Sequence, residues 1–213
     1  EEAARRQVRE LTPSEEIALD AAESFDYAEL RRFMILTGLR RRSALISWPQ
    51  VDFELAQIRV VTKGNVPRII PMTREIYEML WRRREHHRLA VFTYVAARTY
   101  RIPKGGAQRI KGERYPITYA GLGSHKKRAW AKAGVAARLH DLRHTTGMRT
   151  LRRTGNLRLV QKLLGHSDVA TTARFYTDAT IEDLRAGMEA AGAAAPPAET
   201  ARRIEKKSEG GLP

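Results

Sequence analysis

The sequence predicts an α+β fold that is mainly α-helical, with a small antiparallel β-sheet inserted early in the chain. Helix caps and a helix-like spacing of apolar residues run through most of residues 11–188. Short β-branched segments separated by turns indicate the strands, at 51–53, 57–62 and 67–72. The 213 residues, 42% of them hydrophobic, suffice for the core of one ordinary domain, and no internal repeat suggests a solenoid.

The first helices are predicted from their caps. Residues 1–10 are highly charged and lack an apolar face, which is typical of a linker. A helix then begins at Thr12 or Ser14, either of which can cap it, with a proline and acidic residues in its first turn. Residues 25–38 form a second helix, because their apolar positions follow helical spacing up to Gly38, a helix-ending residue.

The remaining elements follow in order. The Lys-Gly-Asn turn at 63–65 separates the second and third strands, and Thr73 caps a long amphipathic helix. Residues 91–117 alternate and then become loop-like, which favours another hairpin. From 118 to 188 the pattern is helical in pieces broken at glycines. Residues 189–213 are rich in Ala, then in Pro and charge, as expected of a flexible tail.

Charge is the strongest compositional signal. Thirty-nine Lys and Arg against 24 Asp and Glu give a net charge of +15, and the pI is near 10.6. Such an excess repels itself unless a polyanion offsets it, so nucleic acid is the expected partner; the alternative is a merely basic soluble protein. The chain has no Cys, which excludes disulfides and a Cys nucleophile and fits a reducing cytoplasm. No apolar run reaches the roughly 20 residues of a membrane-spanning helix, and no signal peptide opens the sequence.

The first candidate site is His140-x-x-Arg143-His144. On a helix these side chains share a face, and an imidazole beside a guanidinium suits a phosphate and a proton transfer. A core histidine beside a surface arginine is the structural alternative. The spacing also resembles the two-histidine helix of zinc proteases, but Asp141 stands where their glutamate is expected and Arg143 would place a cation beside the metal. Zinc is therefore not expected.

Further candidates lie at the ends of elements. His166 follows Gly165 in a corner between two predicted helices, which suits a hydrogen bond to a fixed oxygen. Tyr176 stands in a Thr-rich helix and could act as a nucleophile only beside cations, because a phenol has a pKa of about 10. Such cations are available in Arg40, which follows Thr-Gly-Leu, and in Lys63, which lies in the β-turn.

Taken together and in their order along the chain, from Arg40 to Tyr176, the five motifs resemble the catalytic domain of tyrosine recombinases, the phage integrase family. The resemblance covers roughly residues 11–188, from the Leu-Thr-Pro-x-Glu start to the helix after the tyrosine. It implies that Arg40 and Arg143 hold the non-bridging oxygens of the scissile phosphate and that His166 hydrogen-bonds the same phosphate. It also implies that Lys63 protonates the departing 5′ oxygen as general acid.

The resemblance further implies that Tyr176 attacks phosphorus and leaves a 3′-phosphotyrosine, with His140 assisting the proton transfer. Two arginines and a lysine can stabilise the charge that a metal stabilises elsewhere, so neither metal nor ATP is expected. Two features depart from the family pattern: Ser43 stands where an acid is common, and Tyr176 lies ten residues after His166 rather than nine. One added helical residue rotates a side chain by about 100°.

The organisation implied by the resemblance has three parts. Residues 1–10 would link to a preceding DNA-clamping domain, 11–188 would form the catalytic domain, and 189–213 would be flexible or packed on a neighbouring protomer. The expected partners are double-stranded DNA at recombination sites, a homo-tetramer on synapsed DNA and accessory DNA-bending proteins, with no membrane. The expected location is on DNA in a bacterial cytoplasm, with a bacterial or phage gene.

Other basic residues are candidates for contacts to the DNA backbone, although a solvated face is the alternative for each. This set comprises Arg41, Arg42, Arg82, Arg83, Lys126, Lys127, Arg128 and Lys132. Two alternative functions remain open: DNA relaxation like that of type IB topoisomerases, and a DNA-binding module that has lost catalysis. Integration, excision and resolution share this chemistry, so the sequence does not separate them.

Overall fold

The computed structural model describes residues 9–62, 66–102 and 106–165. The chain divides into two units, Glu1–Ser167 and Asp168–Pro213, and all the described residues belong to the first. None of the helices within the described ranges has the length and apolar character needed to cross a membrane.

Helices dominate the described residues. They are α1 (Pro13–Ala22), α2 (Phe25–Thr37), α3 (Arg41–Ala44), α4 (Arg74–Arg83), α5 (Tyr119–Lys132), α6 (Leu139–Thr154) and α7 (Leu157–Leu164), with a 3₁₀ turn at Trp48–Gln50. The strands are short, and most have two or three residues. They are β1 (Val51–Asp52), β2 (Gln57–Thr62), β3 (Val66–Pro71), β4 (Thr93–Val95), β5 (Tyr100–Arg101), β6 (Gln108–Arg109) and β7 (Arg114–Pro116).

The early antiparallel sheet is confirmed, with the strand order β1-β2-β3. Ile58 pairs with Val51 on one side and with Ile70 on the other, so the apolar side chains of one face line up across the strands. Ile58, Val60 and Ile70 are buried, whereas Val61 is exposed. The hairpin predicted within 91–117 is also present, as the strand pairs β4–β7 and β5–β6. The fold class predicted from the sequence is therefore correct.

The core is one hydrophobic cluster that runs from the inner face of the sheet through α2 to α5 and α6. Leu30, Phe33 and Met34 of α2 are at most 1% exposed, which makes α2 the central helix.

The predicted N-terminal cap is also confirmed. Thr12 and Glu15 form a capping box at the start of α1, and the Leu11 N–H donates to Thr145 Oγ1 of α6 at 3.0 Å.

The ends of α2 and α7 meet closely beside the middle of α6. Gly38 ends α2 in the left-handed conformation, with φ of 63°. A Cβ atom on Gly38 would lie 2.7 Å from Leu164 Cδ2 of α7 and 3.3 Å from Thr146 Cγ2 of α6. Only glycine permits this approach and this φ without strain. The residues after α2 are thereby held beside α6 and the end of α7.

Candidate active site

A cleft of about 610 Å³ opens where α3, α5 and α6 begin. Three of the predicted catalytic residues, Arg40, His140 and Arg143, line it together. The other lining residues are Leu39, Arg41, Arg42, Tyr119 and Leu139. The fold therefore brings together residues that the chain separates by about a hundred positions.

Arg40 is placed by the turn that ends α2. The Thr37 hydroxyl donates to the Phe33 carbonyl at 2.7 Å, and Gly38 then reverses the chain. The Arg40 carbonyl accepts the Ala44 N–H at 2.9 Å, so this residue starts α3 with its backbone while its side chain stays exposed. Among the described residues the Arg40 guanidinium has no ion-pair partner. It is available to an anion in the cleft.

Arg143 is the buried cation of the cleft, with 3% of its surface exposed. Its Nη1 donates to the Gly38 carbonyl at 2.7 Å, and its Nη2 donates to the Leu164 carbonyl. Burial, and then the positive charges of Arg40 and Arg68, lower the pKa of Arg143 to about 9. No carboxylate within the described ranges forms an ion pair with it. A desolvated guanidinium of this kind is stabilised most by an incoming anion.

His140 lies in the first turn of α6, exposed at the mouth of the cleft. Partial desolvation, followed by the charges of Arg143 and Arg40, lowers its pKa below 6.5, while the Asp141 carboxylate opposes the shift. The imidazole is therefore neutral at pH 7 and can accept a proton.

Asp141 itself caps α6, because its Oδ2 accepts the Arg138 N–H at 2.7 Å. In the described part of the chain, no three His, Cys, Asp or Glu side chains are grouped as metal ligands.

Sequence reasoning missed Arg68 of β3. It is half-buried, and its Nη2 donates to the Leu163 carbonyl near the end of α7. Burial and the charge of Arg40 lower its pKa. The signal was present in the strand pattern, because Arg68 lies two residues before the buried Ile70 and so faces the same side of the sheet. An arginine on the inward face of a strand needs a partner inside the protein.

Arg41 forms part of the cleft wall. Its guanidinium lies 3.6 Å from the centre of the Tyr119 ring and also donates to the Tyr119 carbonyl. These contacts join α3 to the start of α5. Tyr119 was not identified from the sequence, because nothing local distinguishes it from a surface tyrosine. Arg42, the next residue, is exposed and also lines the cleft.

The expectation that Arg83 contacts DNA is wrong. Arg83 is 0% exposed, and its Nε donates to Glu29 Oε2 at 2.5 Å, with Asp26 Oδ1 at 3.3 Å from its Nη2. It lies four residues after Met79, on the buried face of α4, where the acids of α2 compensate its charge. The adjacent Arg82 stays exposed, although it also pairs with Glu29 at 2.9 Å.

The basic residues predicted on α5 differ in exposure. Lys127, Arg128 and Lys132 are exposed, whereas the Lys126 ammonium lies 5.0 Å from the centre of the Trp130 ring.

The three remaining catalytic predictions lie outside the described residues. They are Lys63, His166 and Tyr176.

Known proteins share the sequence pattern of this chain. The model of the Phage integrase family matches residues 7–182. The tyrosine recombinase XerA of Saccharolobus solfataricus is 33% identical over 156 residues, which are 72% of this chain and 46% of the relative. This chain thus spans about half the length of that relative.

Solved structures show the same fold. The Tn1549 transposon integrase in complex with a circular intermediate DNA matches 89% of this chain and 68% of its own, with a TM-score of 0.62 and 21% identity. The catalytic domain of bacteriophage HP1 integrase is matched over its whole length, 100%, and over 89% of this chain, with a TM-score of 0.55 and 19% identity. The architecture is that of tyrosine recombinase catalytic domains.

Proposed function

The chain belongs to the phage integrase family of tyrosine recombinases, and we propose that it cleaves and rejoins DNA strands through a covalent 3′-phosphotyrosine. The observation that carries this proposal is the convergence of Arg40, His140 and Arg143 on one cleft. Two of these are cations without a carboxylate partner in the described ranges, and the third is a neutral base. Residues 11–188 would form the catalytic domain, joined to the linker 1–10 and the tail 189–213.

The arginines would hold the scissile phosphate. Arg143 offers a buried guanidinium whose pKa is lowered to about 9 by burial and by neighbouring cations. A phosphate placed between Arg143 and Arg40 relieves that repulsion and receives charge-assisted hydrogen bonds on its non-bridging oxygens. The negative charge on these oxygens is greatest when phosphorus is five-coordinate. The two guanidiniums therefore stabilise the transition state more than the substrate.

The reaction then needs one nucleophile and two proton transfers. The phenol oxygen of Tyr176 attacks phosphorus, the bond from phosphorus to the 5′ oxygen breaks, and a 3′-phosphotyrosine remains. His140, neutral at pH 7, takes the phenol proton, and Lys63 gives a proton to the departing 5′ oxygen. His166 hydrogen-bonds the phosphate. Rejoining reverses each transfer, so the energy of the phosphodiester is retained and no nucleotide cofactor is needed.

Double-stranded DNA is the proposed substrate. The net charge of +15 supports it, as do the exposed Lys127, Arg128 and Lys132 along α5. The related Tn1549 transposon integrase was solved in complex with DNA. In the complete reaction four protomers would act on two paired sites, with one strand exchanged at a time, on DNA inside a bacterial cell. Accessory DNA-bending proteins are a further proposed partner.

Trapping the covalent intermediate tests the proposal. Supercoiled plasmid is incubated with the chain in EDTA, quenched in SDS and assayed for protein bound to nicked DNA, and the attached peptide is mapped. We expect an adduct on Tyr176 that is absent from Tyr176→Phe. Tyr119→Phe is the matched control, because Tyr119 is the tyrosine that lines the described cleft, and it should retain the adduct. An adduct mapped to another residue contradicts the nucleophile. Relaxation without strand exchange between two copies of the mapped site would indicate a topoisomerase instead.

A further inference from the structure

Two arginines from different elements bind the same helix end. Arg68 of β3 donates from Nη2 to the Leu163 carbonyl, and Arg143 of α6 donates from Nη2 to the Leu164 carbonyl. The last carbonyls of a helix have no partner within the helix and carry the negative end of its dipole. Two guanidiniums at this position therefore fix the end of α7 by hydrogen bonds and by charge.

The contact of Arg68 extends to the residue that follows the helix. Gly165 ends α7 in the left-handed conformation, with φ of 62°. A Cβ atom there would lie 2.9 Å from Arg68 Nη1, so the guanidinium packs directly against the backbone of Gly165. His166, the proposed phosphate ligand, is the next residue in the chain.

The other end of this connection is the β2–β3 hairpin. Arg68 pairs with Val60 across the ladder, and the pairing continues to Thr62 and Val66, the last pair before the turn 63–65. The hydrogen-bonded ladder therefore connects the anchor at Arg68 to Thr62 and Val66, the residues that flank the turn. That turn carries Lys63, the proposed general acid.

We propose that Arg68 is a positioning residue that locks the β2–β3 hairpin to the end of α7, and that the proton transfer proposed for Lys63 depends on this connection. This inference rests on the proposed function. Arginine suits the role because its planar guanidinium reaches a carbonyl while packing flat against a glycine, which a lysine ammonium does not do. Arg68 itself need not touch the phosphate.

Hydrogen exchange tests the connection without any reaction. In Arg68→Gln we expect amide exchange at the end of α7 to be roughly tenfold faster than in the unchanged chain, as for the loss of one charge-assisted hydrogen bond. Arg59→Gln is the matched control, because Arg59 lies on the same strand pair but is exposed and pairs with Asp52 at 3.0 Å. It should leave α7 unchanged. Unchanged exchange at α7 in Arg68→Gln would overturn the proposal whatever the activity.

The link between Arg68 and the proton transfer proposed for Lys63 is tested by changing the leaving group. A duplex with the cleavage site mapped from the plasmid adduct is made with oxygen or with sulfur at the 5′ bridging position. A thiolate leaves without a proton, so the sulfur duplex does not need the general acid. We expect Arg68→Gln to cleave the oxygen duplex at least tenfold more slowly than the unchanged chain and the sulfur duplex at nearly the normal rate. Arg68→Lys should restore little of the rate lost on the oxygen duplex.

The outcomes separate the two proposals. Equal slowing on both duplexes would overturn the connection to Lys63 and leave only a contribution to stability, and normal rates on both would overturn it as well. If the unchanged chain forms no adduct on plasmid, the proposed function fails. The exchange experiment then still decides whether Arg68 locks the hairpin to α7.

Discussion

Arg143 Nη1 donates a hydrogen bond to the carbonyl oxygen of Gly38 at 2.7 Å, which joins the buried face of α6 to the end of α2. Gly38 adopts a left-handed conformation there, and Arg40 follows two residues later. One guanidinium thus binds the turn that presents the other. The spacing of the two arginines in the cleft depends on this glycine and on the burial of Arg143.

Replacing Gly38 should be costly. A left-handed alanine costs about 1–2 kcal/mol by itself, and at Gly38 the added methyl group would also overlap Leu164 Cδ2 at 2.7 Å. We expect Gly38→Ala to lower the free energy of unfolding by about 1–3 kcal/mol more than that penalty, because of overpacking. Urea denaturation measures it. Gly155→Ala is the control, since Gly155 also ends a helix with positive φ but an added Cβ atom there would have no neighbour within 4 Å. Equal losses in the two variants would contradict the close approach.

Stability should depend on His140 in the acid range. Its pKa in the folded chain lies below the unfolded value of 6.5, so the unfolded chain takes up the proton first as the pH falls. Its contribution to stability is therefore fully present above about pH 6.5 and is lost as the pH falls through the folded pKa. Urea midpoints from pH 8 to 5 should decline less in His140→Gln than in the unchanged chain.

A second histidine provides the comparison for that measurement. Burial and the charges of Arg114 and Arg83 also lower the pKa of His86. His140→Gln should therefore keep the part of the pH dependence that His86 causes, and the variant lacking both histidines should be the flattest. If the urea midpoint of His140→Gln falls with pH as much as that of the unchanged chain, the pKa of His140 is not shifted.

The buried ion pairs between α2 and α4 should contribute to the stability of the fold and not to DNA binding. Arg83→Ala leaves Glu29 and Asp26 without their buried partner, and loss of one member of a buried pair typically costs about 3–5 kcal/mol. Arg82→Ala removes only the exposed partner of Glu29, which Arg83 still pairs, and should cost at most about 1 kcal/mol. Thermal or urea unfolding compares the two. If both variants lost the same small amount, the burial of Arg83 would be contradicted.

Binding to DNA should weaken steeply with salt because of α5. Neutralising phosphates gives a slope of about −0.9 in log K against log salt for each contact. Replacing Lys127, Arg128 and Lys132 by Gln should make the slope less steep, by at most the amount that about three contacts contribute. Fluorescence anisotropy on a labelled duplex at several salt concentrations measures the slope. Arg74→Gln is the control, because its side chain is 93% exposed on α4 and pairs with Glu78. An unchanged slope in the α5 variant would place the DNA elsewhere.

The sequence predicted the fold class and most of the element boundaries because both depend on local physics. Thr12, Gly38 and Gly155 end or cap helices through their own backbone and side-chain chemistry, and alternating β-branched residues form strands wherever one face is buried. The order of the five motifs along the chain, from Arg40 to Tyr176, also indicated the family without reference to the fold.

Only the tertiary structure decided how the arginines are used. Arg83 and Arg82 are adjacent in the sequence, yet one is buried with Glu29 and the other is exposed. Arg41 packs on Tyr119, while Arg68 meets the end of α7. The reason is physical: the free energy of a guanidinium depends on which carboxylates, carbonyls and rings surround it. Those neighbours come from distant parts of the chain and are brought together only by folding.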